Sequence, residues 1–163
     1  MRMVPINLET PKALLEVNGE TLIERLIKQL HEVGIKEIYV VVGFMKEQLE
    51  FLIDEYGVKL IVNNDYAIKN NMHSLKLALE HVSNSYIVPC DVWCEMNPFR
   101  HKELYSWYMV SDSIDSVSDV RVNRKAELVF VPEMSYGNKM IGISYLVQKP
   151  AEKVKENIKQ LCM

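Results

Sequence analysis

The sequence predicts an α/β fold with a mostly parallel central sheet flanked by helices and antiparallel strands added in the second half. Through residue 90, amphipathic helical segments alternate with short aliphatic, β-branched runs. That rhythm, with its tight connections, implies right-handed crossovers and strands covered on both faces. Beyond Pro98 the strand-like segments follow one another without intervening helices, the pattern of antiparallel pairing.

The first helix is read from TLIERLIKQLHEVG, which places Leu22, Ile23, Leu26, Ile27, Leu30 and Val33 on one face. Thr21 and Glu24 have capping-box spacing, and Gly34 is placed to end the helix. KEIYVVVG then reads as a buried strand, MKEQLEFLIDEYG as a second helix over 45–57, and VKLIVN as a second strand. HSLKLALEHV predicts a helix starting at residue 72 or 73 and ending near 82, and SYIVPC a strand over 85–90. In the second half ELYSWYMVSD, VRV, ELVFVP and MIGISYLV read as strands, and AEKVKENIKQL closes as an amphipathic helix. With no repeat, low-complexity tract or Gly/Ser linker, 163 residues predict a single domain.

Composition narrows the function. A formal net charge of −3 lacks the clustered basic face of a nucleic-acid binder, although one or two lysines suffice to handle phosphate locally. Cys90 and Cys94 are spaced C-x3-C and Cys162 stands apart; with no second Cys or His pair at zinc-site spacing, they read as reduced thiols rather than metal ligands. There is no signal-like segment and no apolar run of membrane-spanning length. The expectation is a cytoplasmic protein without membrane insertion or nucleic-acid partner.

Ligands of open α/β sheets sit beyond the carboxyl ends of the strands. That rule selects the loop after Gly43, the loop NNDYAIKNNMHS after Val62, and PCDVWCE after Val88. Asp91 stands where a carboxylate projects from a strand end, and is either a hard oxygen ligand for Mg²⁺ or the cap of a turn. Lys12, after Pro11, is either solvated surface or a point charge for phosphoryl oxygens. The four asparagines of the second loop suit turns, and equally suit reading a base edge or ribose, with Asn71 and Ser74 opening a helix. Trp93, Phe99, Tyr105, Trp107 and Tyr108 follow Asp91. They are either strand-face packing or, Trp93 foremost, a cage for a quaternary ammonium. His31, His81 and His101 have no Ser or Cys partner in the pattern, so nucleophile–histidine catalysis has no support.

Taken together, TPKALLEVNG, IYVVVGFMKEQ, KNNMHSL and SYIVPCDVWCEMNPF resemble the nucleotidyltransferases of the sugar-phosphate and phosphocholine type, and most of all the bacterial CTP:phosphocholine cytidylyltransferases. The resemblance implies a Rossmann-like nucleotidyltransferase fold. That family opens with a strand and a loop of the form L-A-A-G-x-G-T-R-M, followed by a Pro-Lys pair. Arg2 and Met3 match the end of the loop signature and Pro11 and Lys12 the pair, while Met1 stands in place of the Thr. The preceding strand, the glycines and the family's second metal-binding Asp near its C-terminus have no counterpart. The expectation is therefore a domain truncated at both ends relative to the family.

The resemblance also implies roles. Lys12, with Arg2, would act at the phosphates; Asp91 would hold Mg²⁺; Asn70, Asn71 and Ser74 would approach cytosine and ribose; Trp93, Trp107 and Tyr108 would face the substrate amine. Where the family often has D-A-D-N, this chain has Pro89, Cys90, Asp91 and Val92, keeping only the second Asp. The implied reaction is transfer of CMP from CTP to phosphocholine. Two other readings stand beside it: a non-catalytic binding domain of the same fold, and a sugar-1-phosphate nucleotidyltransferase. A missing first strand predicts an exposed apolar groove and hence a homo-oligomer.

Overall fold

The computed structural model describes residues 10–69, 71–131 and 136–161. Arg2 and Asn70, along with Met1, Met3 and Cys162, lie outside them.

The chain enters through a single 3₁₀ turn, Lys12–Leu14, and a short hairpin of β1 (Glu16–Val17) and β2 (Glu20–Thr21). Asn18 and Gly19 carry φ of 55° and 80°, the left-handed pair that suits a two-residue hairpin loop and that Asn-Gly adopts at low cost. The hairpin delivers Thr21 as the N-cap of α1 (Leu22–Glu32). The predicted capping box is complete: the Glu24 amide donates to Thr21 Oγ1 at 3.3 Å, and the Glu24 carboxylate accepts from Thr21 Oγ1 at 2.6 Å and from Tyr56 Oη at 2.7 Å. At the other end Gly34, with φ of 84°, donates to the His31 carbonyl, and Ile35 to that of Leu30. These two bonds form a Schellman ending and satisfy two otherwise orphaned helix carbonyls.

β3 (Tyr39–Val42) runs parallel to β4 (Lys59–Val62) in unbroken register from Tyr39 against Lys59 to Val42 against Val62. The continuous helix expected over 45–57 is instead a 3₁₀ turn, Lys46–Leu49, followed by α2 (Phe51–Tyr56). Met45, at φ 52°, lies before the turn without a side-chain cap, so the first turn winds tightly. Next comes α3 (Asn71–Leu77), which gives way to a 3₁₀ turn, Leu79–His81, and then to β5 (Ser85–Ile87). β5 is shorter than the predicted 85–90, because Pro89 lacks the N–H a longer ladder would need.

The second half is antiparallel, as expected. β6 (Trp107–Asp115) pairs with β9 (Gly137–Leu146), which also pairs with β5, giving the order β5-β9-β6. β7 (Val120–Val122) and β8 (Leu128–Phe130) form a separate hairpin. The closing helix α4 (Gln148–Leu161) begins three residues before the predicted start at 151, with Pro150 in the first turn, where a missing N–H costs little. Among the described residues, parallel pairing is confined to β3 and β4. β3 and β5 do not pair with each other. Between them runs a groove of about 750 Å³ lined by both strands, by α1 residues such as Ile23 and Ile27, and by Asn71, Ser74 and Leu75 of α3.

Helix α1 supplies two of the three core clusters. Ile23 and Ile27 pack with Ala13, Val42, Leu49, Leu52 and Val58, whereas Leu26 and Leu30 pack with Phe99 and Ile143. Full burial of each such side chain stabilises the fold by about 1.5–3 kcal/mol. The third cluster joins Leu79 and Val82 to Ala151 and Ile158 of α4.

Thr21→Ala should cost about 1 kcal/mol in urea unfolding at neutral pH. The hydrogen bonds from Thr21 and then Tyr56 hold Glu24 below its ordinary pKa. The stability this carboxylate contributes is therefore present above the ordinary glutamate range and lost as pH falls through the folded value. Glu24→Gln should accordingly destabilise the protein at about pH 7 and by progressively less toward about pH 3, as read from unfolding midpoints across that range.

Candidate active site

Lys12 reaches the site because its neighbours are anchored. Pro11 and Ala13 are buried, and the Leu14 and Leu15 amides close the 3₁₀ turn on the carbonyls of Pro11 and Lys12. The lysine is thereby turned outward, its Nζ lying 3.8 Å from Asp91 Oδ2. Asp91 follows the Val88-Pro89-Cys90 turn beyond β5, so the pair sits at the carboxyl end of a strand, where the fold class places ligands. Its side chains are 32% and 47% exposed. An ion pair this exposed contributes at most about 1 kcal/mol, so a phosphate or a cation can separate it at little cost. The turn itself depends on Gly142 of β9, whose φ is 99°; a Cβ there would lie 2.6 Å from Pro89 Cγ.

Among the described residues no group of three or more His, Cys, Asp or Glu side chains gathers. Asp91 is thus a single hard oxygen donor open to solvent. That arrangement fits Mg²⁺, which typically takes one or two protein carboxylates and completes its shell with water and phosphate oxygens. Cys90 and Cys94 are free thiols. Burial pushes the Cys94 thiol above its ordinary pKa, partly opposed by the Arg25 charge, which makes it a poor nucleophile at neutral pH.

The asparagine-rich loop is pinned by its first residue. Asn63, buried at the end of β4, donates its amide to the Val42 carbonyl at 2.7 Å and Nδ2 to Ser74 Oγ at 3.0 Å, and its Oδ1 accepts from the Asp65 amide. Ser74 therefore ties α3 to the sheet, and Asn71 stands exposed in the helix's first turn; both line the groove. Asp65 also pairs with His73 at 3.2 Å. Tyr66 lies against Gly43, where a Cβ would meet it at 2.6 Å, so this loop closes over the one that follows β3.

The three candidate amine-facing aromatics fall in different settings. Trp107 lies in β6, edge-on to Tyr86 with ring centroids 5.8 Å apart, within the cluster around Leu26 and Phe99. Tyr108 is its β6 neighbour, half-buried, with its hydroxyl pKa raised by burial. Tyr86 itself is the aromatic hub, in contact also with Phe99 and Tyr145. Burial above all, and the Glu103 carboxylate it donates to, push its hydroxyl up to about 12 against the opposing Arg100 amide. Trp93 alone lies in the Asp91 loop, its ring centroid 5.3 Å from the Arg25 guanidinium carbon. Sequence reasoning passed over Arg25 and Gln29, and read Asn63 only as one of the four asparagines of its loop. The available signal was a polar stripe at 25, 29 and 32 interrupting an otherwise amphipathic helix.

The lysine–carboxylate pair lies beyond the carboxyl end of a strand, the place where α/β proteins bind their ligands. A family model described as the MobA-like NTP transferase domain matches residues 2–98. A choline-phosphate cytidylyltransferase of Streptococcus pneumoniae is 35% identical, the match covering 94% of this chain and 68% of that protein. A 2-aminoethylphosphonate cytidylyltransferase of Lancefieldella rimae is 30% identical over 94% of this chain and 65% of its own length. This chain thus spans about two thirds of either relative. The solved structure of the S. pneumoniae CTP:phosphocholine cytidylyltransferase LicC superposes with a TM-score of 0.89 at 32% identity, covering 99% of this chain and 72% of that one. HddC of Yersinia pseudotuberculosis, at TM-score 0.61 and 16% identity over 90% of this chain and 70% of its own, shares the fold. The chain belongs to the MobA-like NTP transferase family, and its cytidylyltransferase homologues make it a nucleotidyltransferase by descent.

Gly142→Ala should cost about 1–3 kcal/mol, because an L side chain is strained at this φ and its Cβ collides with the Pro89 ring. A lowered urea midpoint, with the Asp91 turn displaced in a crystal structure of the variant, is the expected result.

Proposed function

We propose that this chain carries the site of a cytidylyltransferase that transfers CMP from CTP to phosphocholine, releasing pyrophosphate. The observation that carries the proposal is the Lys12–Asp91 pair beyond β5, in a chain related to choline-phosphate cytidylyltransferases. A phosphate oxygen of phosphocholine attacks the α-phosphorus of CTP in line with the departing pyrophosphate, and the bond from the α-phosphorus to the bridging oxygen breaks. No protein nucleophile is required, so this chain's residues act by position and charge. Lys12, with Arg2, neutralises phosphoryl oxygens. Asp91 holds Mg²⁺, which when bound supplies charge stabilisation to the transferring group. Asn71 and Ser74, with Asn70, approach the base and ribose, and of the three aromatics Trp93, in the Asp91 loop, is the one placed toward the amine, since ring faces attract a quaternary ammonium while Trp107 is taken up by packing against Tyr86.

Free thiols at Cys90 and Cys94 suit a reducing compartment, and we place the protein in the cytoplasm. We also propose that it self-associates. Edges of β3 and β5 that pair with no strand among the described residues flank the groove, and Val117, at 82% exposed, and Phe130, at 85%, add apolar surface. Light scattering should give a dimer or larger; a clean monomer at high concentration refutes this.

Calorimetric titration with CTP and Mg²⁺, followed by pyrophosphate release with phosphocholine, tests the reaction. Lys12→Ala should lower turnover by about 10²–10³, the usual effect of removing one preorganised donor. Absence of any nucleotide binding overturns the proposal, and turnover with sugar-1-phosphates but not phosphocholine reassigns the acceptor.

A further inference from the structure

The loop that carries Asp91 has no regular structure over 92–99 and is held from the side by helix α1. Arg25 donates Nε to the Cys94 carbonyl at 3.2 Å and Nη2 to the Glu95 carbonyl at 2.5 Å. Its guanidinium faces the Trp93 ring and is steadied by the Glu20 carboxylate at 3.7 Å. One turn along, Gln29 donates Nε2 to the same Cys94 carbonyl at 2.7 Å. Asn97 ties the loop's far side back to α1, its Nδ2 donating to the Gln29 carbonyl and to Glu32. Successive residues of the loop are therefore gripped by one face of one helix, beginning two positions after Asp91.

Gln29 shows that this grip is worth a penalty. It is 1% exposed, and its Oε1 is buried with no protein partner among the described residues. A leucine at this position would avoid that desolvation cost and extend the apolar face beside Leu26 and Leu30. What the glutamine supplies in exchange is the bond to Cys94. Arg25 is equally specific, because a planar fork can serve two adjacent carbonyls and a ring face together, whereas a lysine ammonium is a point charge.

We propose that Arg25 is a positioning residue for Asp91, its fork on the Cys94 and Glu95 carbonyls, seconded by Gln29 and the Trp93 ring, setting the direction in which the loop presents the metal-holding carboxylate. This inference rests on the proposed role of Asp91 and deepens it. Groups that orient a metal ligand commonly change metal affinity 10–100-fold when removed.

Fluorine NMR on the full chain labelled with fluorotryptophan tests it, since Trp93 and Trp107 are the only two tryptophans and Trp93→Phe assigns the lines. Mn²⁺, a paramagnetic stand-in for Mg²⁺, should broaden the Trp93 line before the Trp107 line, and Asp91→Asn should abolish that selectivity. Arg25→Met should shift the Trp93 line, leave the Trp107 line in place as evidence of an intact core, and raise the Mn²⁺ midpoint about tenfold or more. Arg25→Lys should recover only part of that loss. If Arg25→Met does not fold, Gln29→Leu serves: the proposal requires a shifted Trp93 line and a weaker Mn²⁺ response at undiminished thermal stability. An unmoved Trp93 line and an unchanged midpoint in the variants overturn it. If the wild-type chain shows no selective Mn²⁺ broadening, the metal role of Asp91 fails and takes the positioning role with it. A Trp93 line that still answers to Arg25 would then mark a purely structural clamp.

Discussion

The docking of helix α1 is the constraint on which the rest of the structure hangs. Four of its five buried aliphatic residues divide between two clusters, Ile23 and Ile27 toward β3 and α2, Leu26 and Leu30 toward β9 and Phe99. A helix that must satisfy both has no freedom to rotate, since turning one face inward withdraws the other. Its ends are equally determined, by the capping box at Thr21 and the Schellman ending at Gly34. The remaining side of the helix is consequently held in place and available to do something else, and it grips the loop after Asp91.

That arrangement separates rigidity from reactivity. Lys12 and Asp91 are each presented by short irregular segments, but both segments are fastened within one to three residues: Ala13 in the core, Pro89 against Gly142, Cys94 on Gln29. The carboxylate and ammonium stay partly solvated and only loosely paired. Weak pairing suits a site that must exchange its internal partner for a ligand, because an exposed ion pair of this kind opposes substitution by about 1 kcal/mol or less. Had the two charges been buried together, the desolvation already overcome would have favoured leaving them undisturbed.

The legible parts of the fold were those encoded locally. The capping box, the glycine stop, the heptad-like spacing of α1 and the aliphatic runs of β3 and β4 are each properties of a few consecutive residues, and the structure has all of them. The asparagine–glycine turn at 18–19 was equally legible and passed unread as a hairpin. The discrepancies lie where distant contacts outweigh local pattern. The segment 45–57 is apolar at helical spacing throughout, yet its first turn is 3₁₀, and β5 stops short where Pro89 meets Gly142, a residue more than fifty positions away. For the site, position beyond a strand end pointed to Asp91 as a ligand or a turn cap, whereas Lys12 was set apart from ordinary surface lysines only by the family resemblance of its Pro-Lys motif. Arg25 and Gln29 escaped, because their work is to hold backbone that lies far away in sequence.

By itself, then, the sequence determined the α/β class, the capped first helix and the antiparallel character of the second half. Each of these follows from periodicity or backbone conformational preference, both of which act over a few residues. Only the tertiary structure decided that Lys12 faces Asp91, that Trp107 packs against Tyr86 while Trp93 meets Arg25, and that β3 and β5 flank a groove rather than pair. These are contacts between segments tens of residues apart. They are settled by which apolar faces can be buried together and which buried polar groups can find partners, and no local stretch of chain carries that information.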